Sequence, residues 1–254
     1  MAARGWVASQ SGRSVNNMAF GAVAGEVAVT ATNSGTFIAL VSDGNGAFSG
    51  SGIYRLTLAT TRSLPLVSPG DEGGPFNGSS NYVGAIDAGD LDVLYFTACR
   101  GDGIEARMDE LVNGSSLSPW LRLYVRDGVL LKSVSGAATA QISVAATNTG
   151  NFFLVAGDGS TGLGGSGAYQ LTANGLSAGV KLCIPVIAGT KATLTGIGGP
   201  PGTNFILFTH TNVITPFAFW TPLLTNQFDA FGVFNATNPF SRAERERYFR
   251  LLEP

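Results

Sequence analysis

Residues 21 to 58 and 136 to 173 align without a gap at a constant offset of 115, sharing ATN-[ST]-G-x-F, then DG, then GSG-x-Y-x-LT. A period of that size is far too long for a solenoid unit and matches the length of one β-sandwich domain. The later copy follows about 75 residues of strand-like sequence, from Thr61 to Gly136, whereas only twenty residues precede the earlier one. The first copy therefore reads as the later half of a sandwich. The expected division is a half-module over 1–59, a linker or first strand over 60–80, a complete sandwich over 62–174 and a closing β-module over 176–254.

Composition carries the same message. The 254 residues are 44% apolar, enough to bury real cores, and only 13% charged. Their 35 glycines, with abundant Ser, Thr and Asn, suit many short strands joined by tight turns, because Gly and Asn tolerate the positive φ such turns demand. The expected class is all-β, as tandem jelly-roll-like sandwich modules. With 15 basic and 17 acidic side chains there is no electrostatic footprint for a polyanion, which argues against nucleic-acid partners. MAARGWVASQSGR lacks the apolar centre of a secretion signal, and no run approaches the roughly 18 apolar residues of a membrane span.

Across the complete copy, short segments bounded by Gly, Asn or Asp predict strands at Tyr82–Ile86, 90–98, 103–109, 120–125, 140–146, 151–157 and 167–173. Leu94, Phe96 and Ala98 alternate with Val93, Tyr95 and Thr97, the period of two expected when one face packs inward. The stretch 62–81 is rich in Pro, Gly and Ser and reads as the clearest linker. Beyond 176, further strands are predicted in VKLCIPVIAG, ATLTGI, NFILFTHT, FAFWTPLL and FGVFNAT. Ser241-x-x-Glu244 has capping-box spacing for one helical turn before a last strand over 248–252.

Cys99 and Cys183 lie in different expected modules, with no CxxC partner; they read as small buried hydrophobes, a disulfide between modules being the alternative. GDEGGP, over 70–75, imitates a protease nucleophile loop with Glu72 where a serine must stand. The single histidine, His210, follows it in an edge-like strand without a nearby acid. GLGGSG, over 162–167, matches a dinucleotide fingerprint but precedes a strand, not the helix that pyrophosphate binding needs. Asp71, Glu72, Asp109 and Glu110 are the carboxylates from which a glycosidase pair could be drawn. Oxygen-rich acidic positions make a better case: Asp87, Asp90 and Asp92 crowd one strand start and are the candidate calcium ligands, and Asp43 and Asp158 occupy equivalent oxygen-rich loops in the two copies, tight-turn formation being the default for all five. Trp6, Trp120, Trp220, Tyr124 and Phe219 are the candidate sugar-stacking rings, set in apolar contexts that favour core packing. Sequons stand at Asn77, Asn113 and Asn235.

DLDVLYFTA, followed by GTFIALVSDGNGAFSGSGIYRLTL and its later copy, resembles bacterial pre-peptidase C-terminal modules, in which an aspartate-led strand and a closing G-x-Y-x-L-x-L strand belong to one jelly-roll-like sandwich. The likeness covers 62–174 and the second half of a preceding module over 1–59, and the C-terminal piece resembles the terminal module of long secreted surface proteins. The resemblance implies a cell-surface or extracellular location and no catalysis of its own; some such modules bind calcium or a polymeric matrix. The expected function is a non-catalytic extracellular structural protein; a half-sandwich leaves open edges that another chain can fill, which would assemble a surface array or filament by strand complementation, the alternative being that the sequence is a fragment that starts partway through a module. The other readings are an adhesion module for a polysaccharide or protein polymer, and an accessory region of a secreted hydrolase.

Overall fold

The computed structural model describes residues 3–9, 14–21, 23–31, 34–45, 47, 49–61, 63–65, 67, 69–76, 81–176, 179–239 and 246–253; for 3–6, 8–9, 14–21 and 238–239 the backbone alone is described. The chain is all-β. The helical turn predicted from Ser241 to Glu244, the sequon at Asn77 and the ring of Trp6 lie outside the described residues.

Three strands open the chain, β1 (Ala3–Ser9), β2 (Ser14–Gly21) and β3 (Phe37–Asp43), forming an antiparallel sheet in the order β2-β1-β3. The complete sandwich follows: β4 (Gly73–Pro75), β5 (Tyr82–Ile86), β6 (Leu91–Ala98), β7 (Gly103–Glu110), β8 (Pro119–Val125), β9 (Leu130–Ser135), β10 (Thr139–Ala145), β11 (Gly150–Asp158) and β12 (Gly167–Asn174). One sheet runs β10-β7-β12-β5 and the other β4-β6-β11-β8-β9, with β4 parallel to β6 and every other pair antiparallel. Between the sheets lie Leu94, Phe96, Ile104, Met108, Leu121, Leu123, Phe152, Leu154, Tyr169 and Leu171, all buried, with Phe96 stacked on Phe152 at 5.8 Å. Each such side chain contributes roughly 1.5–3 kcal/mol by leaving water.

The repeat is structural. Shifting β1, β2 and β3 by 115 lands them on β8, β9 and β11, and the sheet orders β2-β1-β3 and β9-β8-β11 agree. Even a loop device is copied. Asp43 accepts the amides of Asn45 (3.1 Å) and Gly50 (2.7 Å), and Asp158 accepts those of Ser160 (3.2 Å) and Gly165 (2.7 Å). These two carboxylates organise turns, the default reading of both loops. The copies differ elsewhere: residues 24–30 and 52–59, the counterparts of β10 and β12, form no strand. In the complete copy those strands bond to β7 and β5. Residues 23–26 and 55–60 lie along the complete sandwich. Glu26 there forms an ion pair with the buried Arg122, which also stacks on Trp120 at 3.9 Å.

The C-terminal unit has β13 (Lys181–Leu182), β14 (Val186–Ala188), β15 (Lys191–Ile197), β16 (Asn204–His210), β17 (Thr221–Gln227), β18 (Phe234–Pro239) and β19 (Tyr248–Leu252). In one sheet β13, β14 and β18 pair with β15; in the other β17 and β19 flank β16. FAFWTPLL is thus not one strand, since Phe217–Phe219 form a 3-10 turn before β17. A glycine under an aromatic ring recurs in both units. Gly84 on β5 faces Tyr169, where a β-carbon would lie 2.7 Å from the ring, and Gly196 on β15 faces Phe234.

The expected alternation in β6 is only half of its story. Leu94 and Phe96 point between the sheets, but Val93 also joins a second buried cluster with Phe153, Val155, Ile197, Phe231 and Val233, against which Tyr95 packs. Both faces of β6 and β11 are covered because the C-terminal unit packs on the outer one. Cys99 and Cys183 sit in that same cluster, and they are disulfide-bonded with Cα atoms 5.4 Å apart, which corrects the reading of two separate buried thiols. Two elements predicted as unconnected thus converge across one packed interface.

Candidate functional site

The acidic cluster is built by one turn and one parallel strand pair. Asp87-Ala88-Gly89-Asp90 turns β5 into β6, the Asp90 amide donating to the Asp87 carbonyl at 3.0 Å and Gly89 taking φ 77°. Asp90 immediately precedes β6 and Asp92 lies on it, beside the start of β4, where the parallel register Gly73↔Val93 brings Asp71 alongside. Oxygens of Asp71, Asp90 and Asp92 lie within 4.8 Å of one another. A cleft of roughly 570 Å³ opens beside them, lined by Arg55, Thr57, Asp71, Glu72, Asp87 and Asp90 among others.

Asp92 is the unusual member. It shares the inward side of β6 with Leu94's neighbours at the rim of the core and is 0% exposed. Its Oδ2 accepts the Tyr169 hydroxyl at 2.6 Å, and its Oδ1 has no partner among the described residues. Burial pushes its carboxyl up to about 8, with the charges of Asp90, Glu72 and Asp71 adding to the rise against the pull of the Tyr169 hydrogen bond. Burial, then the charge of Asp71, raises Asp90 as well. Tyr169 is raised by burial and by Asp92. A buried carboxylate oxygen without a donor is costly, and neighbouring carboxylates make it costlier.

Of the three candidate ligands, Asp90 and Asp92 are brought together. Asp87 stands outside the group, at the exposed start of the turn, where Arg55 pairs with it at 3.0 Å. Asp71 takes the third place. Nothing local marked it as a ligand, because its position depends on the pairing of β4 with β6 across some twenty residues. The donor set fits a hard cation: all oxygen, at least two carboxylates at the lip of a polar cleft, and one oxygen lacking any other partner.

The remaining candidates are scattered. His210 ends the central strand of its sheet rather than an edge, and its Nδ1 accepts the Asn212 amide at 2.9 Å. Asp109 is held by Arg107 and Thr139, and Glu110 accepts the Ser115 amide. Glu72 accepts the Ala85 amide at 3.2 Å. In GLGGSG, the Gly165 amide serves the Asp158 turn. Trp120 donates to Ser133 and Trp220 to the Thr215 carbonyl, both rings being half-buried. Phe219 is exposed, contrary to the core packing expected of it, while Phe217 of the same 3-10 turn meets Phe208 of β16 at 4.8 Å.

No protein-family model matches the sequence, and no curated protein matches it. Among solved structures, the chain is similar to the pre-peptidase C-terminal domain of a collagenase from Bacillus anthracis, at 15% identity over 41% of this chain and 95% of that one, with a TM-score of 0.34. It is similar to a periplasmic inhibitor of g-type lysozyme from Salmonella Typhimurium at 14% identity over 41% of this chain and 96% of that one, with a TM-score of 0.29. A third likeness is to a β-1,2-glucanase from Parabacteroides distasonis, at 10% identity over 68% of this chain and 32% of that one, with a TM-score of 0.23.

Proposed function

We propose that this chain is a non-catalytic extracellular structural protein, whose β-sandwich modules take their places in a surface array or filament through strand complementation at the N-terminal copy. One observation carries the reading: a sheet that is half of a sandwich is folded beside a complete version of the same sandwich, and the apolar residues that fill the complete core are left on the surface of the half. The disulfide supports an oxidising compartment. No described helix is long and apolar enough to cross a membrane. Immunogold electron microscopy of the source cells tests the proposal. Label in ordered material outside the cell is expected, and label confined to the cell interior would refute it.

Within that role the acidic cluster is a clamp for one calcium ion, held by Asp71, Asp90 and Asp92. The ion would supply the missing partner of Asp92 and offset the crowding of three carboxylates. Titration with calcium at pH 8 is expected to raise the melting temperature by several degrees, with one ion bound per chain by calorimetry; a melt indifferent to millimolar calcium would remove the clamp. The adhesion reading draws on the exposed Phe219 alone and has less behind it.

A further inference from the structure

The acidic cluster of the complete sandwich lies against a segment of the earlier copy. Residues 52–59 form no strand, yet 55–59 run beside the turn between β5 and β6 with a period of two. Arg55 reaches Asp87 at 3.0 Å, Thr57 Oγ1 stands 3.5 Å from Asp90 Oδ1, and Ala59 packs against the buried cluster that holds Val93 and Phe153. Leu56 and Leu58, between them, are 61% and 72% exposed. Every second side chain thus faces the later copy, and Thr57 is placed at the carboxylates.

We infer that the Thr57 hydroxyl is a fourth protein ligand of the cation held by Asp71, Asp90 and Asp92, so that one ion joins the two copies of the repeat. This rests on the calcium clamp proposed above and adds a residue to it. The distances carry the inference. A hydrogen bond from a hydroxyl to a carboxylate closes to about 2.5–2.7 Å, and the Thr57 contact is well beyond that. Oxygens that each lie about 2.4 Å from one calcium ion stand about 3.4 Å apart at right angles and about 4.8 Å apart on opposite sides. The 3.5 Å from Thr57 to Asp90 fits the first spacing, and the oxygens of Asp71, Asp90 and Asp92 lie within 4.8 Å of one another, the limit set by the second.

Two further observations agree. Asp92 is wholly buried and its Oδ1 has no partner among the described residues, which leaves an oxygen for the ion to hold. Calcium takes about six to eight oxygens, more than three carboxylates supply when each gives one, and Thr57 lines the same cleft as Asp71 and Asp90. The consequence is a coupling between the copies. The Arg55–Asp87 pair is exposed on both sides and holds the segment weakly. An ion that binds Thr57 together with three carboxylates of the later copy fixes the segment, and the segment in place tightens the ion in return.

The test is calorimetric titration of the intact chain with calcium at pH 8, in the parent and in Thr57→Val, Thr57→Ser and Thr60→Val. Thr57→Val keeps the shape and removes the oxygen, and is expected to raise the Kd for calcium about tenfold, since ligand number sets affinity in such sites. Thr57→Ser should restore the parent value, and Thr60→Val, whose hydroxyl meets Ser63 at 2.7 Å, should leave it unchanged. Thr57 is half-buried and outside any strand, so in chelator all four proteins should melt together. Trypsin gives a second readout: calcium is expected to slow cleavage after Arg55 in the parent and not in Thr57→Val. Calcium bound equally by the parent and Thr57→Val overturns the inference and leaves the three-aspartate clamp standing, whereas a parent that binds no calcium removes both. Equal slowing of cleavage in the two proteins shows that the segment is not held through Thr57, and overturns the inference as well.

Discussion

Serine at both Cys99 and Cys183 is expected to destabilise the protein by about 4.5 kcal/mol, the value for cross-linking a loop of this length. The bond closes 84 residues, from the end of β6 to the unit that follows β12, and so constrains most of the sandwich in the unfolded chain. It also pins the C-terminal unit to the outer face of β6 and β11, where Phe231 meets Tyr95 at 5.8 Å and Phe153 at 6.2 Å. In the serine variant that interface must hold by packing alone, and a shallower, two-step urea transition is expected in place of one. Urea unfolding of parent and variant decides the matter; coincident midpoints would show that the bond adds nothing to a junction already fixed by its aromatic contacts.

The second large effect is a pH dependence centred on Asp92. Its carboxyl titrates near 3.8 in the unfolded chain and at about 8 when folded, chiefly because it is buried. Between those values the folded state holds a proton that the unfolded state has released, so stability falls as pH rises. The contribution is fully present below about pH 4 and lost by about pH 8, and at about 1.4 kcal/mol for each unit it amounts to at most about 6 kcal/mol. Asp92→Asn keeps the shape and an acceptor for Tyr169 while removing the charge. The variant is expected to unfold at nearly the same urea concentration at pH 5 and pH 8 in chelator, whereas the parent drops markedly at pH 8 and is restored by calcium. A parent equally stable at both pH values would show that Asp92 does not carry this cost.

How much was readable before any coordinates depended on range. The offset of 115 announced the duplicated sheet because strand order and loop chemistry travel together in one stretch; Asp43 and Asp158 even keep the same amide partners. Turn chemistry put Asp90 and Asp92 at a strand start, and their oxygens do come together there, within 4.8 Å. Asp87, one residue past β5, is sent outward by the turn geometry, a distinction of a single position that composition does not carry. Asp71 was beyond reach because parallel pairing of a three-residue strand leaves almost no periodicity to read. The disulfide was open for a similar reason: spacing in sequence says nothing of whether two Cα atoms come within bridging distance. The outward burial of Val93 and Phe153 depends on a neighbouring unit, so a strand read alone shows only the alternation of its inner face.

The disulfide has a mechanical side. Tension applied between the two ends of the chain would pass along β6 to Cys99, cross the sulfur bridge, and leave through Cys183, so that β7 to β12 hang in a loop that carries no load. A stretched molecule would lengthen less on rupture by the contour of those 84 residues, about 290 Å at the reach of an extended chain. Under shear, most of the sandwich would thus ride beside the line of force and not within it.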